Sequence, residues 1–301
     1  MAGVMCYLSG LGRPLTLKEG DLESDRCWFR RAWTLQEVGY DRVIAGDTPD
    51  GPLHAEPMNE DGKYETELLT RFHNQLQSTR AGAIFWEMFE ALKSMQNRVS
   101  TNPVDRVAGL TFLLQSETIP AYYESESPED AWTAFVNSMR AEIRGELFSS
   151  YPEPGNAGTK WRPSWNQLMT KALPADGYLS TNVDRNEMDE DWCEEECIEK
   201  GLVWGLAQVA EGCDRRGELI VKDAGGTEHA FNITAIHEYP IPDDTYTLIG
   251  AYRWSSPYCV VGRRLSEKRF GKVSVFQIPD GDERSRLQDL HITEHCWNIL
   301  V

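Results

Sequence analysis

The chain has 301 residues, of which 41% are hydrophobic and 26% are charged, as in ordinary globular proteins. With 48 acidic and 30 basic side chains, its formal net charge is −18. Such a surface repels phosphate backbones and anionic lipid headgroups, so the composition argues against a nucleic-acid or membrane-surface partner. A small local basic site stays compatible with this charge, and Arg26, Arg30 and Arg31 form such a cluster in the sequence.

Cysteine usage and targeting signals favour a cytoplasmic location. The seven cysteines are odd in number and scattered, unlike the dense, even sets of small disulfide-linked secreted domains. The first ten residues have neither a basic n-region nor a long apolar run, so we expect no signal peptide. No apolar run approaches the roughly 20 residues of a membrane-spanning helix. We therefore expect a cytoplasmic protein in a reducing compartment.

The first 50 residues predict a strand, a helix and a second strand. Val4–Ser9 is a short apolar stretch that a glycine ends. Helix signals follow, because Ser24 or Asp25 suits the N-cap and Gly39 suits the position after the helix end. Arg42–Asp47 then predicts a brief strand that runs into a Thr-Pro-Asp-Gly turn.

Residues 51–150 carry helical periodicity. Apolar side chains recur every three or four positions in Glu65–Gln77 and in Ala83–Met95. The Asn-Pro pair at residues 102–103 is a helix start signal, because proline is favoured at the first helical position. A further helix is predicted over Glu129–Leu147. We expect a helical bundle of about four helices in this region.

A linker and a change of period follow the helical region. Residues 151–160 are rich in proline and glycine and are interpreted as a linker. Residues 161–301 alternate at strand spacing with regular turns, which predicts an antiparallel sandwich or small barrel. The acid-rich segment Asp184–Glu199 is expected to be a solvated loop or helix. The predicted strands are Leu202–Leu206, Glu218–Lys222, His229–Ile236, Tyr246–Tyr252, Tyr258–Gly262 and Lys272–Ile278.

One motif in the first region points to a family. Residues 24–37 read Ser-Asp-Arg-Cys-Trp-Phe-Arg-Arg-Ala-Trp-Thr-Leu-Gln-Glu. This pattern resembles the closing motif of the fungal heterokaryon-incompatibility (HET) domain. In that family a long α/β half-domain precedes the motif, and its Leu-Ser-His-x-Trp-Gly and Asp-x-x-Cys-Ile-Asp-Gln blocks have no counterpart in this sequence. We therefore expect residues 1–50 to be the C-terminal remnant of an N-terminally truncated HET domain.

Three later blocks are similar to the regions that follow HET domains in mushroom-forming fungi. They are Pro103–Leu110, Trp161–Trp165 and Tyr258–Arg264, and no chemistry is assigned to them. The resemblance implies a protein of fungal nonself recognition or programmed cell death. We expect it to act as an interaction or regulatory module that lacks a complete catalytic site of its own, with a protein of the incompatibility pathway as its partner.

The resemblance also implies a fold and a catalytic candidate. HET domains are similar to TIR domains, which are α/β folds, and TIR domains that cleave NAD use a glutamate in a comparable helix motif. In this sequence Ser24, Trp28 and Trp33 match the packing positions and Glu37 matches the glutamate. We expect an α+β protein with a remnant α/β (TIR-like) fragment, a helical bundle and a C-terminal antiparallel β-domain.

Each candidate residue has a structural and a functional interpretation. Glu37 is the catalytic residue of a first alternative, an NAD hydrolase, although pairing with a nearby arginine is the commoner role for such a glutamate. NAD is a ligand only in this alternative, and the leading interpretation has no cofactor. Trp28 and Trp33 either stack on a ligand or belong to the core, and their helical spacing favours the core. A second alternative is a carbohydrate-binding protein with Trp204 and Trp254 as a stacking platform.

Two short motifs have metal-like spacing. Cys193 and Cys197 are separated by three glutamates and no matching cysteine pair follows, whereas structural zinc sites more often use Cys-x-x-Cys pairs. His291 and His295, which Cys296 follows, lack the glutamate of the His-Glu-x-x-His zinc motif. We therefore expect no metal site.

Overall fold

The computed structural model of this chain describes residues 4–7, 18–37, 42–45, 47–48, 51–52, 63–64, 66–81, 88–111, 113–114, 116, 118–123, 125–175, 181–208, 214–250, 258–266 and 268–301. The chain divides into two compact units. The N-terminal unit comprises residues 1–115 and 119–131, and the C-terminal unit comprises residues 116–118 and 132–301. The division therefore lies near residue 131 and not at the predicted linker. Within the described ranges, no helix is long and apolar enough to cross a lipid bilayer.

The N-terminal unit begins with short strands. β1 (Val4–Tyr7) pairs in parallel with β2 (Arg42–Ala45), and β3 (Asp47–Thr48) pairs antiparallel with β4 (Gly51–Pro52). Parallel strands need a crossover connection rather than a tight turn, and the chain between β1 and β2 provides one. The helices and the antiparallel sheet of the chain agree with the predicted α+β class, whereas an α/β (TIR-like) remnant stays a prediction. Gly39, the predicted helix end, lies outside the described residues.

The helix predicted from residue 24 onward is not continuous. A 3-10 helix covers Trp28–Arg30 and α1 covers only Thr34–Glu37. Between them Arg31 is extended, with φ −77° and ψ 136°, and it forms a parallel bridge with Val99. The backbone N–H of Ala32 donates to the Val99 carbonyl at 3.0 Å. Pairing with a segment about 70 residues later in the chain thus overrides the local helix signals.

Three further helices belong to the N-terminal unit: α2 (Glu67–Ala81), α3 (Met88–Gln96) and α4 (Asp105–Ala108). The helix start predicted at Asn102-Pro103 lies two residues too early, because α4 begins at Asp105 with Val104 as its N-cap. The Asn102 side-chain oxygen still accepts a hydrogen bond from the Val104 backbone N–H at 3.1 Å, in the turn before the helix.

On α2, Leu69 and Phe72 are buried and Leu68 is half-buried. On α3 the buried apolar positions are Met88, Phe89, Leu92 and Met95. The predicted positions Leu76, Ile84 and Phe85 lie outside the described side chains.

The single helix predicted over 129–147 is wrong, because two helices occupy this stretch. α5 covers Pro128–Asn137 and α6 covers Ala141–Ser150. Arg140, between them, is extended with φ −63° and ψ 151°. The Ser138 hydroxyl donates to the Phe135 carbonyl at 2.7 Å, so a local hydrogen bond occupies a backbone group at the end of α5. No glycine or proline marks the break, which is why the apolar period runs through it.

Buried polar contacts join α6 to its surroundings in the C-terminal unit. Gly145 allows a close approach, because a Cβ atom there would lie 1.7 Å from the carbonyl oxygen of Thr181. At the C-terminal end of α6, the buried amino group of Lys272 donates to the carbonyls of Phe148 at 2.7 Å and of Tyr151 at 2.6 Å. These bonds satisfy carbonyl groups that a helix end leaves without an intrahelical partner.

The segment predicted to be a linker, residues 151–160, lies between buried aromatic side chains. Tyr151 is 1% exposed and Trp161, directly after the segment, is fully buried. α7 (Trp165–Thr170) follows, and its N-cap Ser164 forms a reciprocal capping box with the side chain three residues later. The proline and glycine residues here therefore shape a turn inside one compact unit.

A closed antiparallel barrel forms the larger part of the C-terminal unit, which agrees with the small-barrel form of the prediction. Six of its strands pair in the circuit β6–β9–β10–β11–β8–β7 and back to β6, with a single residue pair joining β11 to β8. Apolar side chains from these strands fill the interior. The strands are β5 (Asp184–Arg185), β6 (Asp191–Trp204), β7 (Arg215–Lys222), β8 (Glu228–Ala235), β9 (Asp244–Ile249), β10 (Tyr258–Arg264), β11 (Arg269–Gln277) and β12 (Glu294–Leu300).

The acid-rich segment Asp184–Glu199 is strand and not a solvated loop or helix. It contains β5 and most of β6, and the buried positions alternate along β6 at Asp191, Cys193, Glu195 and Cys197. The high acid content hid this two-residue period. α8 (Gly281–Asp289) and β12 were not predicted either.

Candidate functional site

The motif segment of residues 24–37 lines a pocket in the N-terminal unit. The pocket has a volume of about 590 Å³, within the usual range for small-molecule or side-chain binding sites. One wall comes from the motif and the other from the residues that precede and begin α4. Among the described residues the lining is Asp25, Arg26, Arg31, Ala32, Trp33, Val99, Ser100, Thr101 and Asp105.

Backbone pairing holds the two walls together. Besides the Arg31–Val99 bridge, the guanidinium group of Arg98 donates to the carbonyls of Phe29 at 2.6 Å and of Arg31 at 3.0 Å. Arg98 is 9% exposed, and burial lowers its pKa to about 10, so it is still protonated at neutral pH. A buried cation bound to backbone carbonyls costs a large penalty if its partners are removed. The pocket is therefore preformed rather than assembled by a ligand.

The charges around the pocket are mixed. Arg26 and Arg31 are exposed, and in the part of the chain that the structure describes their guanidinium groups have no hydrogen-bond or ion-pair partner. Two carboxylates also line the pocket: that of Asp25, which is paired with Arg30 at 3.3 Å, and that of Asp105. Two arginines therefore line this opening on a chain whose net charge is −18.

The two tryptophans of the motif have different surroundings. Trp28 packs against a small apolar cluster that includes Leu22 and Phe72, and its ring meets the ring of Phe29 edge-on with centroids 5.3 Å apart. Trp33 is half-buried and lines the pocket, where it is the aromatic member of the described lining. An indole that is partly exposed in a pocket is available for stacking on a ligand.

Glu37 lies at the C-terminal end of α1. Its backbone is described, but its side chain lies outside the described residues, so the structure does not test its catalytic role. Of the two tryptophans in the proposed carbohydrate-stacking platform, the structure describes one. Trp204 is 58% exposed at the end of β6, whereas Trp254 lies outside the described residues.

Half of the pocket was missed by reasoning from the sequence. Val99, Ser100 and Thr101 carry no motif, and the only signal for the opposite wall is the block at 103–110, which resembles a HET-associated region and contains Asp105. Comparison with protein-family models, with curated proteins and with solved structures gave no significant match. The function of the pocket is therefore inferred from its geometry and from the motif that lines it.

Proposed function

We propose that this chain is a HET-family protein of fungal nonself recognition or programmed cell death, and that it acts as an interaction or regulatory module. One observation carries the proposal: residues of the HET-like motif line a preformed pocket instead of being wholly consumed by the core. Asp25, Arg26, Arg31 and Trp33 all belong to that motif.

The lining chemistry suits an acidic segment of a partner protein. Guanidinium groups bind carboxylates through charge-assisted, often bidentate hydrogen bonds, and Arg26 and Arg31 have no such partner among the described residues. Trp33 offers an aromatic face beside them for an apolar side chain. Tryptophan and arginine are the residues most enriched at the energetic centres of protein interfaces. Asp105 lines the same pocket and weakens the attraction for an acidic segment, but the two arginines outnumber it.

Binding of a defined peptide tests this proposal. The probe is a fluorescein-labelled peptide in which glutamates flank a phenylalanine, and fluorescence anisotropy measures its affinity for the full chain. Arg31→Glu is expected to weaken binding by about tenfold or more, because it replaces an attraction with a repulsion. Arg216→Glu makes the same change of charge at an exposed position of the C-terminal unit and is the matched control. Equal affinities for the two variants, or equal binding of a peptide with lysines in place of the glutamates, contradict the proposal.

The NAD hydrolase remains the first alternative because the same pocket chemistry suits a dinucleotide. Arginines bind pyrophosphates, and an indole stacks on a nicotinamide or adenine ring. Catalysis then needs the Glu37 carboxylate held close to the nicotinamide ribose, because positioning provides much of the barrier reduction. Release of nicotinamide by the wild-type chain and its loss in Glu37→Ala would favour this alternative over the interaction module.

A further inference from the structure

The pairing of β6 with β12 brings together two sequence motifs that are nearly 100 residues apart. Cys197 lies opposite Glu294 in this antiparallel pair, and Cys296 lies opposite Glu195, so the two cysteines share one face of the sheet. The register between β6 and β9 shifts after Ile198. The sulfur atoms of Cys197 and Cys296 and a carboxylate oxygen of Glu199 all lie within 4.8 Å of one another.

We propose that Cys197, Cys296 and Glu199 bind a thiophilic divalent cation such as Zn²⁺. In a tetrahedral zinc site with bonds of about 2.3 Å to sulfur and about 2.0 Å to oxygen, a sulfur and an oxygen ligand lie about 3.5 Å apart. Here Cys296 Sγ and Glu199 Oε1 are 3.6 Å apart. Thiolate ligands select zinc over the oxygen-seeking cations Mg²⁺ and Ca²⁺. Three protein ligands leave the fourth position of a tetrahedral ion to water or to another ligand.

Neighbouring side chains orient two of the three ligands and balance the charge of the set. Arg264 forms an ion pair with Glu199 and donates to the Asn298 side-chain oxygen at 2.6 Å. The Asn298 amide in turn donates to Cys197 Sγ at 3.5 Å, and Asn298 is fully buried. Two thiolates and a carboxylate carry three negative charges, which the cation and Arg264 together neutralise. Hydrogen bonds from surrounding side chains to the metal ligands are a regular part of protein metal sites.

Access is compatible with loading from solvent. Cys197 is buried, whereas Cys296 and Glu199 are half-buried, so one side of the triad reaches the surface of the barrel. Both cysteines of the triad are free thiols, as are Cys27, Cys193 and Cys259, so the triad is not consumed by a disulfide. The sequence predicts no metal site because each of the two motifs is incomplete alone. The proposal departs from that prediction because strand pairing brings one cysteine of each motif together.

Metal titration of the full chain tests the proposal. The protein is purified under reducing conditions, freed of metal with a chelator, and titrated with Zn²⁺ by calorimetry and with Co²⁺ by absorption spectroscopy. We expect one ion per chain and a thiolate-to-cobalt charge-transfer band. Cys296→Ser is expected to lower the affinity by at least about tenfold, because even the loss of a group that only hydrogen-bonds to a metal ligand costs that much.

Two further variants make the outcome decisive. Cys27→Ser removes a half-buried thiol of the N-terminal unit and is expected to bind zinc like the wild type. Glu199→Gln leaves both thiols in place, so it decides the matter if Cys296→Ser does not fold. The proposal is overturned by the absence of one-to-one binding, by an affinity that neither variant of the triad changes, or by mass spectra that show a Cys197–Cys296 disulfide in place of metal binding.

Discussion

Lys272 provides the sharpest test of the barrel packing. Its side chain is 2% exposed, and in the described part of the chain it has no carboxylate within ion-pair distance. Its amino group instead donates to the carbonyls of Phe148 and Tyr151 at the end of α6. Burial lowers the pKa of Lys272 from 10.5 to about 7. At 1.36 kcal/mol per pKa unit, burial therefore disfavours the charged lysine relative to the neutral lysine by at most about 5 kcal/mol.

The sign of the resulting pH dependence follows from proton counting. Between about pH 7 and 10.5 the lysine is neutral in the folded chain but protonated in the unfolded chain. The unfolded state therefore binds more protons in this window, so the free energy of unfolding rises with pH, by up to about 1.4 kcal/mol per unit. Below pH 7 both states hold the proton, and this contribution no longer changes.

Lys272→Met removes the titrating group at similar side-chain length. The measurement is urea unfolding followed by tryptophan fluorescence between pH 6 and 10, for the wild type and for the variant. Titration of the cysteines is common to both chains, so the difference between the two free energies isolates Lys272. We expect this difference to move in favour of the wild type as the pH rises above 7. Lys222→Met, which removes an exposed lysine paired with Glu228, is the matched control for loss of a lysine. Parallel profiles for the wild type and Lys272→Met would refute the reasoning.

The other predictions concern packing, boundaries and catalysis. Asp191→Asn should lower the free energy of unfolding in urea by about 3 kcal/mol, because it leaves the buried guanidinium of Arg144 without its charged partner. Asp189→Asn is the control: it removes an exposed partner of Arg185 and should cost under about 1 kcal/mol. A fragment covering 161–301 should not unfold cooperatively, whereas a fragment that also carries α5 and α6 should, since those helices lie largely in the C-terminal unit. Cooperative unfolding of both fragments would instead support a boundary at the predicted linker. The purified chain should release no nicotinamide from NAD above background, and turnover that disappears in Glu37→Ala would contradict the interaction-module proposal.

The barrel could be predicted in its strands but not in its closure. The strands predicted from Glu218 onward correspond to β7 through β11, because alternating apolar residues between turns are a local signal. The pairs of β6 with β9 and of β8 with β11 join distant parts of the chain, so no local pattern reports them. The first half of β6 was missed because glutamates fill its exposed positions and one buried position, Glu195.

The candidate site was predicted only where its signal is contiguous. The motif at 24–37 directed attention to Trp33, which lines the pocket, but the second wall depends on the bridge between Arg31 and Val99. The same limit applies to Cys197 and Cys296, which meet only through the register of β6 and β12. Long-range pairing decides both sites, and it is not readable from one sequence.

The central claim is that the pocket lined by the motif is a recognition site. The most direct measurement follows the indole N–H resonances in ¹H–¹⁵N spectra of the full chain while the glutamate-phenylalanine peptide is added, with the Trp33 resonance assigned from Trp33→Phe. The account predicts that the Trp33 indole resonance shifts with a saturating dependence on peptide concentration. The resonance of Trp204, an exposed tryptophan of the C-terminal unit, should stay in place. A shift of Trp204 without a shift of Trp33, or a spectrum that the peptide leaves unchanged, contradicts the claim.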